Sequence, residues 1–225
     1  MAAAISTIVA VSARADGYYL QSSLFRTNAL SYKWVVNSGA IPEYAAWGVN
    51  KVTGSDHFDR GFGVSGEFGY ASGPWRASLE LSQTDISDGF FEDSQGDSGP
   101  YHARQRYRLG LLNVYRDFRV LDRVALFAGA GAGPGRSGIH LDNGTDHTDG
   151  SYGFFAYQFR AGVNIALDAH WNFNVALRFL HVAGGVDTIT FPKANFPFLQ
   201  TVNTTTFTVD DAWVRCYEIG LRRSF

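Results

Sequence analysis

Seven charged residues stand at alternate positions of otherwise apolar segments: Glu67, Arg76, Glu80, Arg160, Arg178, Glu218 and Arg222. Residues two apart in an extended chain share a face, so each stands on the side opposite a row of bulky apolar groups. Arg and Glu brought together on one face pair through the guanidinium fork, which matches a carboxylate. Other patterns carry less chemistry. Gly96-Asp97-Ser98-Gly99-Pro100 has the look of a serine nucleophile loop, but it is one Gly short. No His and Asp context accompanies it, and a nucleophile needs a base within hydrogen-bond reach. Gly133-Pro134-Gly135-Arg136-Ser137-Gly138 satisfies GxGxxG, yet it runs into a polar loop instead of a helix. The phosphate-cradling geometry is therefore missing, and no cofactor is expected. His140, Asp142, Asp146, His147 and Asp149 mix nitrogen and oxygen ligands in one loop at a spacing that fits no defined site. No metal is expected there.

The elements that must position the seven charges are strands. Period-2 alternation recurs while helical periodicity is nearly absent. Trp75, Ala77, Leu79 and Leu81 oppose Arg76, Ser78, Glu80 and Ser82. Phe155, Tyr157, Phe159, Ala161, Val163 and Ile165 alternate with Ala156, Gln158, Arg160, Gly162 and Asn164, and Trp171 to Phe179 repeats the pattern. Trp213, Tyr217, Ile219, Leu221 and Phe225 oppose Cys216, Glu218, Gly220, Arg222 and Ser224. Weaker alternation covers Tyr18 to Arg26, Gly61 to Tyr70 and Val124 to Gly133. Arg104 to Phe118 makes the eighth segment; holding Tyr107, Leu109 and Leu111 on the apolar side takes Asn113 with them, which points to a bulge.

Connection lengths alternate too. Short turns fall at Ala71-Ser72-Gly73-Pro74, around Arg119 to Arg123, and at Asp168-Ala169-His170. Long polar loops are expected over Asn28 to Arg60, Ile86 to Ala103, Ser137 to Ser151 and Gly184 to Asp210. Eight strands, four long external loops and three short periplasmic turns describe an all-β, antiparallel up-and-down transmembrane β-barrel. Segments of about 10 residues suffice to cross a bilayer at a tilt.

Composition decides which face is inside. The interior of eight strands only just admits packed side chains, so the Phe, Leu, Val, Tyr and Trp face is too bulky for it. The charges go inward and the apolar row outward. Gly61, Gly63, Gly69, Gly129, Gly131 and Gly133 are expected to make room for the long inward chains. Trp75, Trp171 and Trp213 fall at strand ends, the positions of an interface aromatic girdle. The net charge of −2 argues against nucleic acid as a partner, and one Cys among 225 residues excludes a disulfide framework. A mean hydropathy of −0.11 then averages a lipid belt, a charged interior and hydrophilic loops.

Ala2 to Ala13 is a short apolar run ending in Ala13-Arg14-Ala15, the small-x-small pattern of a secretory cleavage site. Residues 1–15 are expected to be a signal peptide whose positively charged start lies upstream, and residues 16–225 the barrel domain.

Gly69-Tyr70 through Trp75-Arg76-Ala77-Ser78-Leu79-Glu80-Leu81, Leu111 to Phe118, the Gly-rich Phe127 to Gly133 and the final strand ending in Phe225 carry a family likeness. Together they resemble the small eight-stranded outer-membrane β-barrels, which include the OmpA transmembrane domain and opacity-type, porin-like surface proteins. The likeness spans Gly61 to Phe225, without the long loops. It implies a monomer in the outer membrane of a Gram-negative bacterium, in contact with outer-membrane lipid and lipopolysaccharide. It also implies that Tyr217, Ile219, Leu221 and Phe225 form the signal read by the barrel-assembly machinery, with Arg223 at a position usually aromatic or aliphatic. The expected role is structural or surface-interacting, with a host or cell-surface ligand held by the long loops and a lumen filled by the Arg/Glu network. The alternatives are a narrow porin-like channel, which the polar lumen suggests, and a rim-located lipid A-modifying hydrolase, known among barrels of this size. For the latter, His181 alternates toward lipid with no Ser and carboxylate pattern near it, so no catalytic residue is assigned.

Overall fold

The structure is a computed structural model and describes residues 16–28, 30–37, 51–58, 60–93, 98–142, 147–190 and 204–225. The proposed signal peptide lies outside the described residues. Twelve strands occur among them: β1 (Gly17–Thr27), β2 (Leu30–Asn37), β3 (Lys51–Phe58), β4 (Phe62–Ser72), β5 (Trp75–Asp93), β6 (Ser98–Leu121), β7 (Val124–Asp142), β8 (His147–Ala166), β9 (Trp171–Val182), β10 (Gly185–Thr190), β11 (Thr204–Val209) and β12 (Ala212–Ser224).

Eight strands close a barrel. β1 pairs with β4, then β5, β6, β7, β8, β9 and β12 follow in turn, and β12 pairs back onto β1, every pair antiparallel. Closure leaves the wall no open edge, which hydrocarbon would not tolerate. Two of the three short connections are tight for local reasons. Gly73 takes φ 53°, a left-handed value that glycine adopts without a steric penalty. Asp168 Oδ1 accepts from the backbone N–H of His170 at 2.7 Å and of Trp171 at 2.8 Å, an Asx-type turn. The start of β1 and the C-terminal residue meet at this same end of the barrel, where Phe225 N–H donates to the Tyr18 carbonyl at 3.0 Å.

The opposite end departs from expectation. The spans read as long loops carry strands: β5 and β6 run on to Asp93 and Ser98, β7 and β8 to Asp142 and His147, and β2, β3, β10 and β11 form two further hairpins. These hairpins extend the sheet in the order β10-β11-β2-β3-β5. Continued pairing satisfies backbone groups that a loop would leave to water, and polar side chains do not prevent it. β6 has 24 residues. At about 3.3 Å per residue that is roughly 80 Å of strand, more than twice what an apolar band about 25 Å tall requires of a strand tilted near 45°.

Outward residues within the band are apolar and exposed: Leu81, Leu112, Val114, Phe68, Phe159 and Ile219 are each at least half open. Further from the short turns the polarity of both faces inverts. Along β5 the outward series Leu79, Leu81 becomes Gln83, Asp85, while the inward series Ser82, Thr84 becomes Ile86. β6 does the same, with Arg104, Arg106 and Arg108 outward and Tyr107, Leu109 and Leu111 buried inward. This overturns the lipid-side reading of Tyr107, Leu109 and Leu111. Asn113 shares their lumen face, and no bulge is needed there. Pairing with β5 is unbroken from Trp75–Arg116 to Ser87–Arg104, and the irregularities lie at Ser87/Gly89 and Arg119/Leu121.

Candidate functional site

The lumen is filled in layers, starting at the short-turn end. Inward parity on β5 and β6 brings Arg76 to Asp117, where the guanidinium donates through Nε and Nη2 at 3.0–3.2 Å. Asn164 Nδ2 donates to the same carboxylate at 3.3 Å. The Arg76 guanidinium also lies 4.7 Å from the Tyr115 ring centroid and 5.2 Å from that of Phe127, and Arg222 lies 5.6 Å from that of Tyr19.

The next layer joins five charges. Pairing of β4 with β5 sets Glu67 directly beside Glu80, and pairing of β8 with β9 sets Arg160 beside Arg178. Each wall therefore presents two like charges, and the walls answer each other across the lumen. Arg178 contacts Glu80 at 2.7 Å and donates to Glu218 from Nη2 at 2.9 Å and Nε at 3.1 Å. Arg160 donates to Glu67, to Glu218 and to the Tyr115 hydroxyl, the last at 2.7 Å, and stands 3.7 Å from Glu80. The remaining carboxylate capacity is taken by amides and hydroxyls. Glu67 accepts from Ser78 at 3.1 Å and Gln21 at 3.3 Å, and Glu80 accepts from Gln158 at 2.9 Å and Asn113 at 3.0 Å. Buried charges persist in this way only when paired and hydrogen-bonded. The buried inward charges among the described residues are Arg76, Arg160, Arg178 and Arg222 against Glu67, Glu80, Asp117 and Glu218. Four of each sign leave the interior neutral.

Above this layer the lumen turns apolar. Phe25, Leu109, Leu111, Phe154, Leu180 and Val214 belong to one buried cluster that also takes in Cys216. The Arg178 guanidinium closes the boundary, 4.7 Å from the Phe25 ring centroid. The glycines serve these rings and amides more than the guanidiniums. A Cβ on Gly129 would run into the Tyr115 ring, and one on Gly63 into the Phe25 ring.

All seven charges chosen from sequence thus face the lumen. Glu67, Arg76, Glu80, Arg160, Arg178 and Glu218 lie in ion pairs, and the Arg222 guanidinium also lies on the Tyr19 ring. Asp117, Tyr115 and Asn113 are the lumen residues that the sequence reading does not place there, whereas Gln158 stands on its inward row beside Arg160. Assigning Asn113 to the lumen brings the other two with it, since Tyr115 and Asp117 share its parity. Trp75 and Trp171 face outward at the short-turn end, and Trp213 at the other. Arg116 lies 5.3 Å from the Trp75 ring centroid, and Arg223 lies 5.6 Å from that of Trp171 and 5.2 Å from that of Phe225. Tyr217, Ile219 and Leu221 on β12, and Phe225 just past its end, are all exposed.

The remaining motifs resolve into strand. Gly133 to Gly138 is extended backbone within β7, not a loop. His140 pairs with Asp149 and Asp142 with His147 along the β7–β8 hairpin, while Asp146, like Gly96 and Asp97, lies outside the described residues. Among the described residues no three His, Cys, Asp or Glu side chains gather as a metal site would require. His181 stacks on Tyr157 at 4.4 Å, packs edge-on to Trp213 at 4.8 Å and meets Asp211 at 3.3 Å.

Known structures share this architecture. The chain is similar to the outer membrane protein OprG from Pseudomonas aeruginosa (16% identity, 94% of this chain and 97% of that one, TM-score 0.60). It is also similar to Neisserial surface protein A (14%, 93% and 97%, 0.50) and to the outer membrane protease OmpT from Escherichia coli (8%, 95% and 100%, 0.52). At these identities the likeness is one of fold. No curated protein matches the chain in sequence. The family model for the outer membrane protein beta-barrel domain matches residues 1–210. With its closed wall, apolar belt and neutral interior, the chain belongs to the outer membrane protein beta-barrel domain family and resides in the outer membrane of a Gram-negative bacterium.

Proposed function

We propose that the protein is a non-conducting anchor whose barrel carries an extended set of strands above the outer leaflet, in a structural or surface-interacting role. One observation supports this reading above the others: the five-charge layer, its side chains at most 1% exposed, fills the cross-section and is capped by a packed apolar cluster. Such an interior offers no continuous water path, as expected of eight strands. Recognition then falls to the hairpins built from β2, β3, β10 and β11. Trp75, Trp171 and Trp213 serve as interface anchors, and the outward row of β12 ending in Phe225 serves as the assembly signal. Planar-bilayer recording of the refolded protein tests the proposal. The expected trace has no unitary steps; reproducible steps that vanish with heat-denatured protein establish a channel instead.

A further inference from the structure

At the short-turn end the lumen is less tightly filled than in the layers above. A cavity of about 90 Å³ runs from the β6–β7 turn, where Arg119, Asp122 and Arg123 line it, to the buried side chains of Asp117, Asn164, Asn172 and Arg222. Strand register explains the space. Arg222 and Asn172 are directly paired across β12 and β9, and the next position in that row is Ala166 on β8. Asn164 is paired in the same way with Ala125 on β7. Both alanines line the cavity, and neither is long enough to fill it. Arg119 and Asp122 are exposed at its mouth, so water reaches it from this side. Its inner end is closed by the Arg76–Asp117 pair, with the five-charge layer beyond.

Charge in this cavity is unequally matched. Arg76 grips Asp117 through two nitrogens, and Asp122 has Arg119 at 3.4 Å. Arg123 and Arg222 then add two positive charges, with no further carboxylate lining the cavity among the described residues. One inward position beyond Asn172 on β9, the Asn174 amide is buried with neither its oxygen nor its nitrogen hydrogen-bonded. Buried amides are costly in that condition. We infer that the cavity binds a small monocarboxylate from the periplasm, its carboxylate on Arg222 and Asn172 and its short apolar remainder against Ala125 and Ala166. This goes beyond the anchoring role proposed above. The two oxygens of a carboxylate match the guanidinium fork. The volume equals that of roughly three waters, which suits an acid of acetate size. A second negative charge would meet Asp117 and Asp122, which disfavours phosphate. A neutral solute of the same shape would leave the positive excess uncompensated.

The test uses the full barrel folded in uncharged detergent at constant ionic strength, with acetate, acetamide and inorganic phosphate as probes. The side-chain amide signals of Asn164, Asn172 and Asn174 in nitrogen-15 NMR spectra report binding. In the wild type, acetate is expected to shift the Asn172 signal saturably and to bind about tenfold more tightly than acetamide or phosphate. R222Q should weaken acetate by about tenfold, the loss expected for a hydrogen bond to a charged group. R222K should retain part of the affinity. R223Q, an outward neighbour at the same end, should leave it unchanged. The heat-modifiable band shows whether R222Q is folded; if it is not, R222K and the three-probe comparison in the wild type decide. Acetamide or phosphate bound as tightly as acetate, or an acetate affinity unchanged in folded R222Q or falling as much in R223Q, would each overturn the inference. Conductance plays no part in these readouts, so the outcome is independent of the channel measurement.

Discussion

Replacing Arg160 by Met tests whether the mid-lumen charges act as one unit. Met fills similar length without a charge, so the perturbation is electrical more than steric. Arg160 holds Glu67, Glu218 and the Tyr115 hydroxyl. Without it Glu218 retains Arg178, whereas Glu67 keeps only Ser78 and Gln21, both neutral. The five-charge layer moves from one net negative charge to two. Removing one partner of a buried ion pair costs about 3–5 kcal/mol, and a loss of about 4 kcal/mol lowers a urea midpoint by roughly 2 M at a slope near 2 kcal/mol/M. Tryptophan fluorescence of the barrel in phospholipid vesicles follows the transition. Adding Glu67→Gln to Arg160→Met should recover a large part of the loss, because the stranded carboxylate is removed with its partner. A midpoint within 0.3 M (about 0.6 kcal/mol at that slope) of the outward control Arg215→Met, or no recovery in the double variant, would refute the reasoning.

Three further outcomes follow from local geometry. Gly129→Val drives a side chain into the Tyr115 ring and should destabilise the barrel by about 1–3 kcal/mol, seen as loss of the heat-modifiable band in cold detergent gels. Arg223→Gln removes the stacking on Trp171 and Phe225 and should cost about 0.5–1 kcal/mol, measured by the same urea titration. The Asp168 carboxyl is held below the ordinary aspartate range by the backbone N–H groups of His170 and Trp171. A depressed value means that the folded state favours the ionised form, so this contribution is full above the ordinary range and fades as pH falls below it. Asp168→Ala should therefore lower the urea midpoint at neutral pH, and the difference from wild type should shrink in acid.

How far the sequence carries depends on where along a strand it is read. Within the apolar band the rule that polar means lumen holds for β8 and β9, where Arg160 and Arg178 alternate with Phe159 and Leu177. The rule fails on β6, because lipid is the outside solvent for only part of the strand. Past the band the outside is water, so Arg104, Arg106 and Arg108 face outward, and the inside is sealed by Tyr107, Leu109 and Leu111. A pattern that reverses midway mimics a bulge when it is read with one assignment throughout. The same misreading hid Asp117, the partner of Arg76. The hairpins formed by β2, β3, β10 and β11 have another reason to be hard to read: their strands are only six to eight residues long, and the pairing of β11 with β2 joins segments far apart in the chain.

The like-charged walls of the lumen bear on how the barrel comes together. The β4–β5 hairpin carries Glu67 beside Glu80, and the β8–β9 hairpin carries Arg160 beside Arg178. Each hairpin alone is burdened by repulsion, and relief comes only when the two face each other with Glu218 from the final strand between the guanidiniums. Half-built barrels therefore gain little from their own charges, and the gain arrives in a single late step. The charge layout is a device for cooperativity: it discourages partly zipped intermediates and rewards the closed cylinder.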